Sequence, residues 1–300
     1  MTLEVRGPDR QTWLGGVVTC EVASLRPGAG RYGLVLARNG KILSDTTIVV
    51  GADSLVLSVA AGRAEAVFDH LNRLLVMEDA ELVEASSGWA WTFVLPAASD
   101  GAAVTASLGA TDVRCHVAWP GIEGLAVVCD ATETDARRAA WLCEHEDWTL
   151  ADDPEVFERL RIEVGFPRFG VDFDASHGVH EASLDQAAVC WTKGCYVGQD
   201  IVARQHARGR PPRRLVSVRL EHGERPAAGS PVTFGSDDRV VGTVTSATHS
   251  ERFGGAVAFA RVASAQSEPA TRVRVAGVPG VVGLSARGPA PSSGPGPTQD

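Results

Sequence analysis

One stretch of the chain, KGCYVGQDIVARQHARGRPPRR at residues 193–214, gathers side chains that are able to do chemistry. Cys195 follows Lys193 by two residues, and the segment GQDIVARQH can begin a helix just beyond it. Nearby positive charge and the free N–H groups of a helix N-terminus lower the pKa of a thiol and make it reactive. A cysteine packed in a glycine-flanked turn would have the same local sequence, so both interpretations stay open.

The second feature of this stretch is its charge. Five arginines lie between residues 204 and 214, whereas the whole chain has a formal net charge of -9. Pro211 and Pro212 stiffen this segment, and guanidinium groups held in place suit the recognition of carboxylates or phosphates. A solvated helix face and loop is the simpler interpretation. Because few aromatic side chains lie among the arginines and the chain is acidic, we expect a small or local anionic partner rather than nucleic acid.

Two other patterns in the sequence are less specific. GAGRYG at residues 28–33 fits the glycine spacing of dinucleotide-binding loops, but Arg-Pro precedes it and a β-rich run follows, so we predict a turn and a hairpin. His177 and His180 could bind a metal together with Glu181 or a cysteine, although this spacing is also common in polar loops. None of the six cysteines forms a CxxC pair, and no metal site is predicted.

The elements that must position these residues follow from the periodicity of the apolar side chains. Residues 31–50 form two β-rich runs around Asn-Gly, which predicts a β-hairpin, and residues 56–60 continue as a strand. Apolar residues at helical intervals in 64–77 predict a helix on this sheet. A second αβ passage has strands at WAWTFVLPA and GLAVVCD and helices at TETDARRAAWLCEHE and PEVFERLRIEVG.

The pattern of the sequence changes after Arg214. Short alternating runs separated by Gly, Pro and Asp turns predict five strands of a small antiparallel barrel or sandwich: LVSVRLE, SPVTFGS, RVVGTVTSATHS, GAVAFARV and TRVRVAG. We expect two αβ lobes at residues 1–207, the barrel at 208–285 and a disordered Pro/Gly/Ser-rich tail at 286–300.

The composition of the chain limits the classes of protein to which it can belong. With 300 residues, of which 44% are hydrophobic and 22% charged, the chain can bury a full core in two or three packed units. No apolar run approaches the roughly 18 residues that span a bilayer, and the N-terminus shows no secretory signal pattern. We therefore expect a cytoplasmic protein. We also expect it to be a monomer.

Beyond these local patterns, several segments resemble one family. KGCYVGQD followed by IVAR resembles the signature K-G-C-[FY]-x-G-Q-E of the YgfZ-type folate-binding proteins, which are relatives of the glycine cleavage T-protein, an aminomethyltransferase. WLGGVVTCEVASLRPG, RYGLVLARNGKILSD, RIEVGFPRFGVDF and HEASLD resemble further segments of the family. Two departures are Asp200, where the signature has Glu, and Ser44-Asp45, where the aminomethyltransferases have Asp-Asp.

The resemblance implies an α+β fold, the folate-binding aminomethyltransferase-like fold. Two αβ lobes and a C-terminal antiparallel β-barrel would form a three-lobed ring, whose central channel holds tetrahydrofolate without a covalent bond. Glu181 matches the position of a carboxylate that binds the pterin, and the arginines from residue 204 onward would face the acidic folate tail. The residues implied to contact the cofactor are Glu181, Tyr196, Gln199, Arg204 and Arg214, and those implied to take part in chemistry are Cys195, Asp45 and Lys193.

The function that the family implies is that of a tetrahydrofolate-binding accessory protein in iron-sulfur cluster assembly or repair, with indirect effects on tRNA modification. Cys195 would be the reactive thiol, able to hold a transient iron-sulfur cluster, and iron-sulfur client or scaffold proteins would be the partners. The alternative is a folate-dependent aminomethyltransferase or demethylase of the glycine cleavage T-protein type, with Asp45 as acid or base near folate N5. The lone carboxyl of Ser44-Asp45 disfavours this alternative, and whether the protein is an enzyme stays open.

Overall fold

The computed structural model describes residues 1–60, 62–95, 113–144, 149, 151, 153–209 and 211–283. The chain divides into two compact units, residues 1–157 with 166–211 and residues 158–165 with 212–300. The tail at 286–300, for which disorder is predicted, lies outside the described residues. Within the described ranges, no helix is both long and apolar enough to cross a membrane.

The first unit begins with a five-stranded antiparallel sheet. Its strands are β1 (Thr2–Arg6), β2 (Gly30–Leu36), β3 (Ile42–Val50), β4 (Ser54–Ser58) and β5 (Glu81–Glu84), in the order β2-β3-β4-β1-β5. β2 and β3 form the predicted hairpin, and Gly40 in its turn has a φ of +75°, which glycine adopts without strain. The glycine pattern at 28–33 forms a turn and the start of β2, as predicted.

Two helices cover one face of this sheet. They are α1 (Arg10–Gly15) and α2 (Ala64–Asn72). Their buried side chains form one cluster with the strands, and the largest helical contributors are Trp13, Leu14, Val67 and Leu71. Removing these apolar side chains from water is what holds the two helices on the sheet.

The second helix is shorter than the sequence predicts. It ends at Asn72, whereas the helical pattern continues to residue 77. Beyond Asn72, the Leu74 N–H bonds to the Leu71 carbonyl in a tighter turn. The Glu78 carboxylate then accepts the N–H groups of the two preceding residues at 3.1 Å each. These local hydrogen bonds compete with further helical turns and end the helix.

The second sheet of the first unit has three antiparallel strands. They are β6 (Trp89–Val94), β7 (Val113–Trp119) and β8 (Ile122–Asp130), in the order β6-β8-β7. The two sheets share one core cluster, to which Leu34 contributes from the first sheet and Val117 from the second. A third helix, α3 (Thr134–Glu144), packs Trp141 against Leu125 and Val127 of β8 in a separate small cluster.

The second unit contains the C-terminal antiparallel barrel. Its six strands are β9 (Arg213–Leu220), β10 (Pro231–Phe234), β11 (Arg239–Ser250), β12 (Gly255–Ala263), β13 (Arg272–Val275) and β14 (Val278–Val282), and they close in the order β10-β11-β12-β9-β14-β13. The helix α4 (Pro154–Val164) contributes Ile162 to a cluster with Leu215 and Phe259. Five strands are predicted from the sequence; β14 is not, because its Pro279 and Gly280 are typical of turns.

Candidate active site

Asp45 is the acidic residue of the β2–β3 hairpin, and it lies beside a tyrosine. The strand register pairs Tyr32 with Thr47 and Leu34 with Asp45, so Tyr32 and Asp45 are diagonal neighbours on one face of the sheet. The Tyr32 hydroxyl donates a hydrogen bond to Asp45 Oδ2 at 3.1 Å. Tyr32 is buried, whereas Asp45 is partly exposed. The hairpin thus presents a carboxyl that a buried phenol holds in place.

Burial sets the proton affinity of this pair. It raises the pKa of Asp45 to about 6, and hydrogen bonds from Tyr32 and from the backbone only partly oppose this change. Burial also raises the pKa of Tyr32 well above its usual value, an effect that the Asp45 charge reinforces. Tyr32 therefore remains a hydrogen-bond donor at neutral pH, whereas Asp45 can take up and release a proton near pH 6.

Aromatic rings flank the Tyr32–Asp45 pair. The Phe166 ring packs against Tyr32 with its centroid 5.9 Å away and its plane nearly perpendicular. Trp119 Nε1 donates a hydrogen bond to Thr47 Oγ1 at 2.9 Å, and Thr47 is the next residue of β3 on the same face as Asp45. Aromatic side chains thus contact Tyr32 and Thr47, which are neighbours of Asp45 on this face of the sheet.

The signature segment at residues 193–200 is anchored by Lys193. Its ammonium group donates hydrogen bonds to the carbonyl oxygens of Gly15, Val18 and Cys20 at 2.6, 2.9 and 2.6 Å. These carbonyls lie at the end of α1 and in the chain that follows it, where carbonyl groups lack helical partners. Burial lowers the pKa of Lys193. Because an ammonium group has three hydrogens, all of them are used in joining the signature to the N-terminal segment.

The rest of the signature packs on the β2–β3 hairpin. Tyr196 is 7% exposed and belongs to the core cluster that contains Tyr32. Gly198 precedes the helix α5 (Gln199–Arg208) with a φ of +82°, and a side chain there would lie 2.8 Å from the Ala37 carbonyl oxygen. The Gln199 N–H bonds to the Tyr196 carbonyl at 3.2 Å. The signature therefore fixes the position of the hairpin, and glycine at 198 is needed for that close approach.

Glu181 lies at the turn of the same hairpin. Its Oε2 accepts hydrogen bonds from the Gly178 N–H at 2.7 Å and from Lys41 Nζ at 3.0 Å. Burial acts to raise the pKa of Glu181, but these two donors and the Lys41 charge outweigh it, so the pKa lies below its usual value. The Ile42 N–H also donates to the His177 carbonyl at 3.0 Å. An ionised carboxylate is thus joined to the hairpin that carries Asp45.

Comparison with known proteins identifies the family of the chain. Residues 1–102 match the GCVT N-terminal domain, and residues 213–281 match the glycine cleavage T-protein C-terminal barrel domain. The chain belongs to the glycine cleavage T-protein superfamily. The α+β fold with a C-terminal antiparallel barrel, predicted from the sequence, is thereby confirmed, while the matches support the superfamily and not specifically its YgfZ-type members.

Relatives in this superfamily have aminomethyltransferase names. The Streptomyces coelicolor aminomethyltransferase is 26% identical over 292 residues, covering 90% of this chain and 77% of that protein. The Geobacillus kaustophilus aminomethyltransferase is 29% identical over 269 residues, covering 82% and 72%. The crystal structure of the glycine cleavage system aminomethyltransferase T from Bartonella henselae shares the fold, with a TM-score of 0.76 at 20% identity, covering 94% of this chain and 82% of that one. These names favour the alternative function over the iron-sulfur accessory role.

In this member of the superfamily, the signature cysteine is exposed and another thiol has a perturbed pKa. Cys195 is exposed, whereas Cys190 is half-buried with its Sγ 3.5 Å from Thr192 Oγ1. Burial acts to raise the pKa of Cys190, but hydrogen bonds from Thr192 and from the Lys193 backbone N–H bring it below its usual value. Cys190 has no predicted role, although a hydroxyl residue two positions after a cysteine is a signal visible in the sequence.

The arginines predicted to face the folate tail lie in different units. Arg204 lies on α5 with 54% of its side chain exposed, 3.9 Å from Asp200. Arg214 lies in β9 of the second unit. The other predicted site residues all belong to the first unit, and they are Asp45, Glu181, Lys193, Cys195, Tyr196 and Gln199.

The two histidines that could bind a metal make contacts with other side chains. His177 Nδ1 lies 2.7 Å from Asp174 Oδ1 and accepts the Asp174 N–H at 3.1 Å. The His180 ring packs 6.2 Å from the ring of Trp191. Among the residues that the structure describes, no group of three His, Cys, Asp or Glu side chains could hold a metal ion.

Proposed function

We propose that the protein transfers a one-carbon group to or from tetrahydrofolate, as a folate-dependent aminomethyltransferase or demethylase, with Asp45 as the proton-transfer group. The observation that carries the proposal is the Asp45 carboxyl, which has a pKa of about 6 and is bound by the Tyr32 hydroxyl. The aminomethyltransferase names of the relatives support the same class of reaction.

Asp45 is suited to proton transfer at a nitrogen atom. When bound, tetrahydrofolate supplies the nitrogen atoms that take the one-carbon group and lose their hydrogens. Above a pKa of about 6, Asp45 is ionised and accepts such a hydrogen as a general base, and in its protonated form it can return the proton to a departing amine. Because the Tyr32 hydroxyl donates its hydrogen bond to Asp45 Oδ2, we assign the contact with folate to Asp45 Oδ1.

The first unit also has groups that fit a pterin ring. Glu181 is ionised at neutral pH, and a carboxylate can accept hydrogen bonds from the pterin amino group and ring N–H. Since its Oε2 already accepts two hydrogen bonds, we assign the main pterin contact to Oε1. In this proposal Lys193, Tyr196 and Gln199 act indirectly, because they fix the hairpin that carries Asp45.

A direct assay tests this proposal. The protein is incubated with tetrahydrofolate and an aminomethylated lipoyl carrier protein, and methylene-tetrahydrofolate is measured by mass spectrometry. We expect it to form far faster than in a mixture without the protein. If tetrahydrofolate binds and no methylene-tetrahydrofolate forms, the transferase proposal is wrong.

A second candidate function is the accessory role in iron-sulfur cluster assembly or repair. The exposed Cys195 favours it, because the signature holds this thiol between the anchored Lys193 and the buried Tyr196. This segment is also the sequence feature that resembles the YgfZ-type proteins. In this role, Cys195 would carry the chemistry and tetrahydrofolate would be a bound ligand, and the partners would be iron-sulfur clients or scaffolds.

Replacing Cys195 with alanine separates the two functions. If Asp45 carries the chemistry, the rate of one-carbon transfer by Cys195→Ala stays within about twofold of the wild-type rate, because surface substitutions away from a site have small effects. Cys143→Ala, at an exposed cysteine in α3, is the matched control. The accessory role instead predicts that only Cys195→Ala fails to complement a strain lacking its own copy of the protein.

Replacing Tyr32 with phenylalanine should move the pH dependence of the transfer rate. The Tyr32 hydrogen bond lowers the pKa of Asp45 against the larger effect of burial, so its loss lets the pKa rise above about 6. We expect the wild-type rate to increase through pH 6 and the midpoint for Tyr32→Phe to lie at higher pH. A lower rate at every pH with an unmoved midpoint would contradict the assignment of Asp45 as the titrating group.

A further inference from the structure

Arg63 is a cation of the first unit that the proposed chemistry does not use. It lies immediately before α2, and its Nε donates a hydrogen bond to the Leu43 carbonyl at 3.1 Å. Its guanidinium carbon lies 6.0 Å from the centre of the Phe169 ring, within range of a cation–π interaction. Among the described residues, the Leu43 carbonyl is the one hydrogen-bond partner of the Arg63 side chain, so both terminal nitrogens keep their hydrogens for a ligand.

Two series of contacts connect Arg63 to Asp45. The carbonyl that Arg63 binds belongs to β3, two residues before Asp45, a separation of roughly 7 Å along a strand. In the other direction, Asp45 binds Tyr32, and Tyr32 packs against Phe166. Three residues later in the same loop, Phe169 lies under Arg63. Asp45, Arg63 and the rings of Phe166 and Phe169 thus belong to one network of contacts, the aromatic rim.

This rim has the chemistry of a site for a flat aromatic molecule with an anionic tail. A carboxyl near one end can exchange hydrogens with ring nitrogens, and aromatic side chains can pack against a ring system. A partly buried guanidinium with two free terminal nitrogens can bind a carboxylate through parallel hydrogen bonds. Tetrahydrofolate has these parts, since it joins a pterin to an aminobenzoyl group and a glutamate.

We infer that Arg63 binds the glutamate carboxylates of folate. This inference rests on the proposed function, because it takes folate as the ligand beside Asp45. It assigns the tail to a cation that is joined by contacts to the candidate site, whereas Arg204 is 54% exposed and paired with Asp200 on the surface of α5. An exposed charge is screened by water and salt, so a partly buried guanidinium is the stronger carboxylate partner.

Binding measurements with two ligands test this assignment. Dissociation constants are measured without oxygen for tetrahydrofolate and for 6-methyltetrahydropterin, which has the reduced pterin and no tail. Arg63→Met should weaken tetrahydrofolate binding by about ten- to a hundredfold, the usual effect of losing a charged hydrogen bond, and leave 6-methyltetrahydropterin binding unchanged. The tetrahydrofolate dissociation constant of Arg63→Lys should lie between those of Arg63→Met and the wild type. Lysine keeps the positive charge but lacks the parallel N–H groups of a guanidinium. Arg73→Met, at an arginine that directly follows α2 with 78% of its side chain exposed, is the matched control and should bind both ligands as the wild type does.

Each outcome decides the assignment. It is wrong if Arg63→Met binds tetrahydrofolate like the wild type, or if Arg63→Met and Arg63→Lys lose both ligands by the same factor, which would mean that Arg63 only supports the fold. A wild-type protein that binds neither ligand would overturn the inference and the proposed function together. A wild type that binds tetrahydrofolate through Arg63 without transferring a one-carbon group would overturn the proposed function alone.

Discussion

Asp45→Asn should lower the rate of tetrahydrofolate-dependent one-carbon transfer by about a hundred- to ten-thousandfold, the range that general acid–base catalysis contributes. The amide keeps the size of the side chain and can still accept the Tyr32 hydrogen bond, but it cannot take up a proton. Tetrahydrofolate affinity should change by less than about threefold, because Asp45 acts on the proton rather than on binding. The measurement is single-turnover formation of methylene-tetrahydrofolate together with a titration of tetrahydrofolate.

The matched control for this variant is Asp53→Asn, at an exposed aspartate between β3 and β4 of the same sheet. It should transfer at the wild-type rate. Equal losses in both variants would mean that the sheet, and not the Asp45 proton, had been disturbed. A wild-type rate in Asp45→Asn would remove Asp45 from the chemistry.

Asp45→Asn also has a readout that needs no substrate. The folded-state pKa of Asp45 is raised from 3.8 to about 6, so the favourable contribution of its protonated form is complete below pH 3.8 and is lost as pH rises through 6. The asparagine variant escapes this loss. Its unfolding free energy should exceed that of the wild type by at most about 3 kcal/mol at pH 7.5 and be nearly equal to it at pH 4. Urea unfolding at the two pH values measures both differences.

Lys193→Met should lower the unfolding free energy by about 3 kcal/mol or more. Its ammonium group makes three hydrogen bonds of 2.6 to 2.9 Å to backbone carbonyls, and a hydrogen bond to a charged group contributes about 1.5 to 3 kcal/mol. Removing it also leaves the carbonyls of Gly15, Val18 and Cys20 without this donor. The expected loss of unfolding free energy exceeds that of most single substitutions. Urea unfolding at neutral pH measures it.

The other lysine of the chain gives the control. Lys41 is 37% exposed and pairs with Glu181, which is 24% exposed, so Lys41→Met should cost about 1 kcal/mol or less. If Lys193→Met were as stable as Lys41→Met and yet inactive, Lys193 would act in the chemistry rather than as the anchor of the signature.

The hairpin and the barrel could be predicted because their signals are local. Asn39-Gly40 between two β-rich runs specifies the turn, and alternating side chains specify strands such as β9 and β11. The strand β14 has the opposite local signal, since proline and glycine form two of its five residues. Its place in the barrel depends on pairing with β9 and β13, which no local pattern contains.

The candidate site could be predicted only in part, because its chemistry depends on contacts between distant segments. The resemblance pointed to Asp45, but the raised pKa depends on burial and on the register that brings Tyr32 beside it. The sequence places Lys193 two residues before Cys195, but no local pattern shows that its hydrogen bonds go to carbonyls 173 to 178 residues earlier in the chain. The contact of Arg63 with Phe169 joins an αβ segment to a loop in the same way, so sequence spacing has no signal for it.

A crystal structure of the protein with tetrahydrofolate bound tests the role of Asp45 directly. We predict that a nitrogen of the reduced pterin lies within hydrogen-bond distance, about 2.6 to 3.2 Å, of Asp45 Oδ1. We also predict that the glutamate tail runs along Phe166 and Phe169 toward Arg63. Tetrahydrofolate bound elsewhere, with no folate atom in contact with the Asp45 carboxyl, would contradict this role of Asp45.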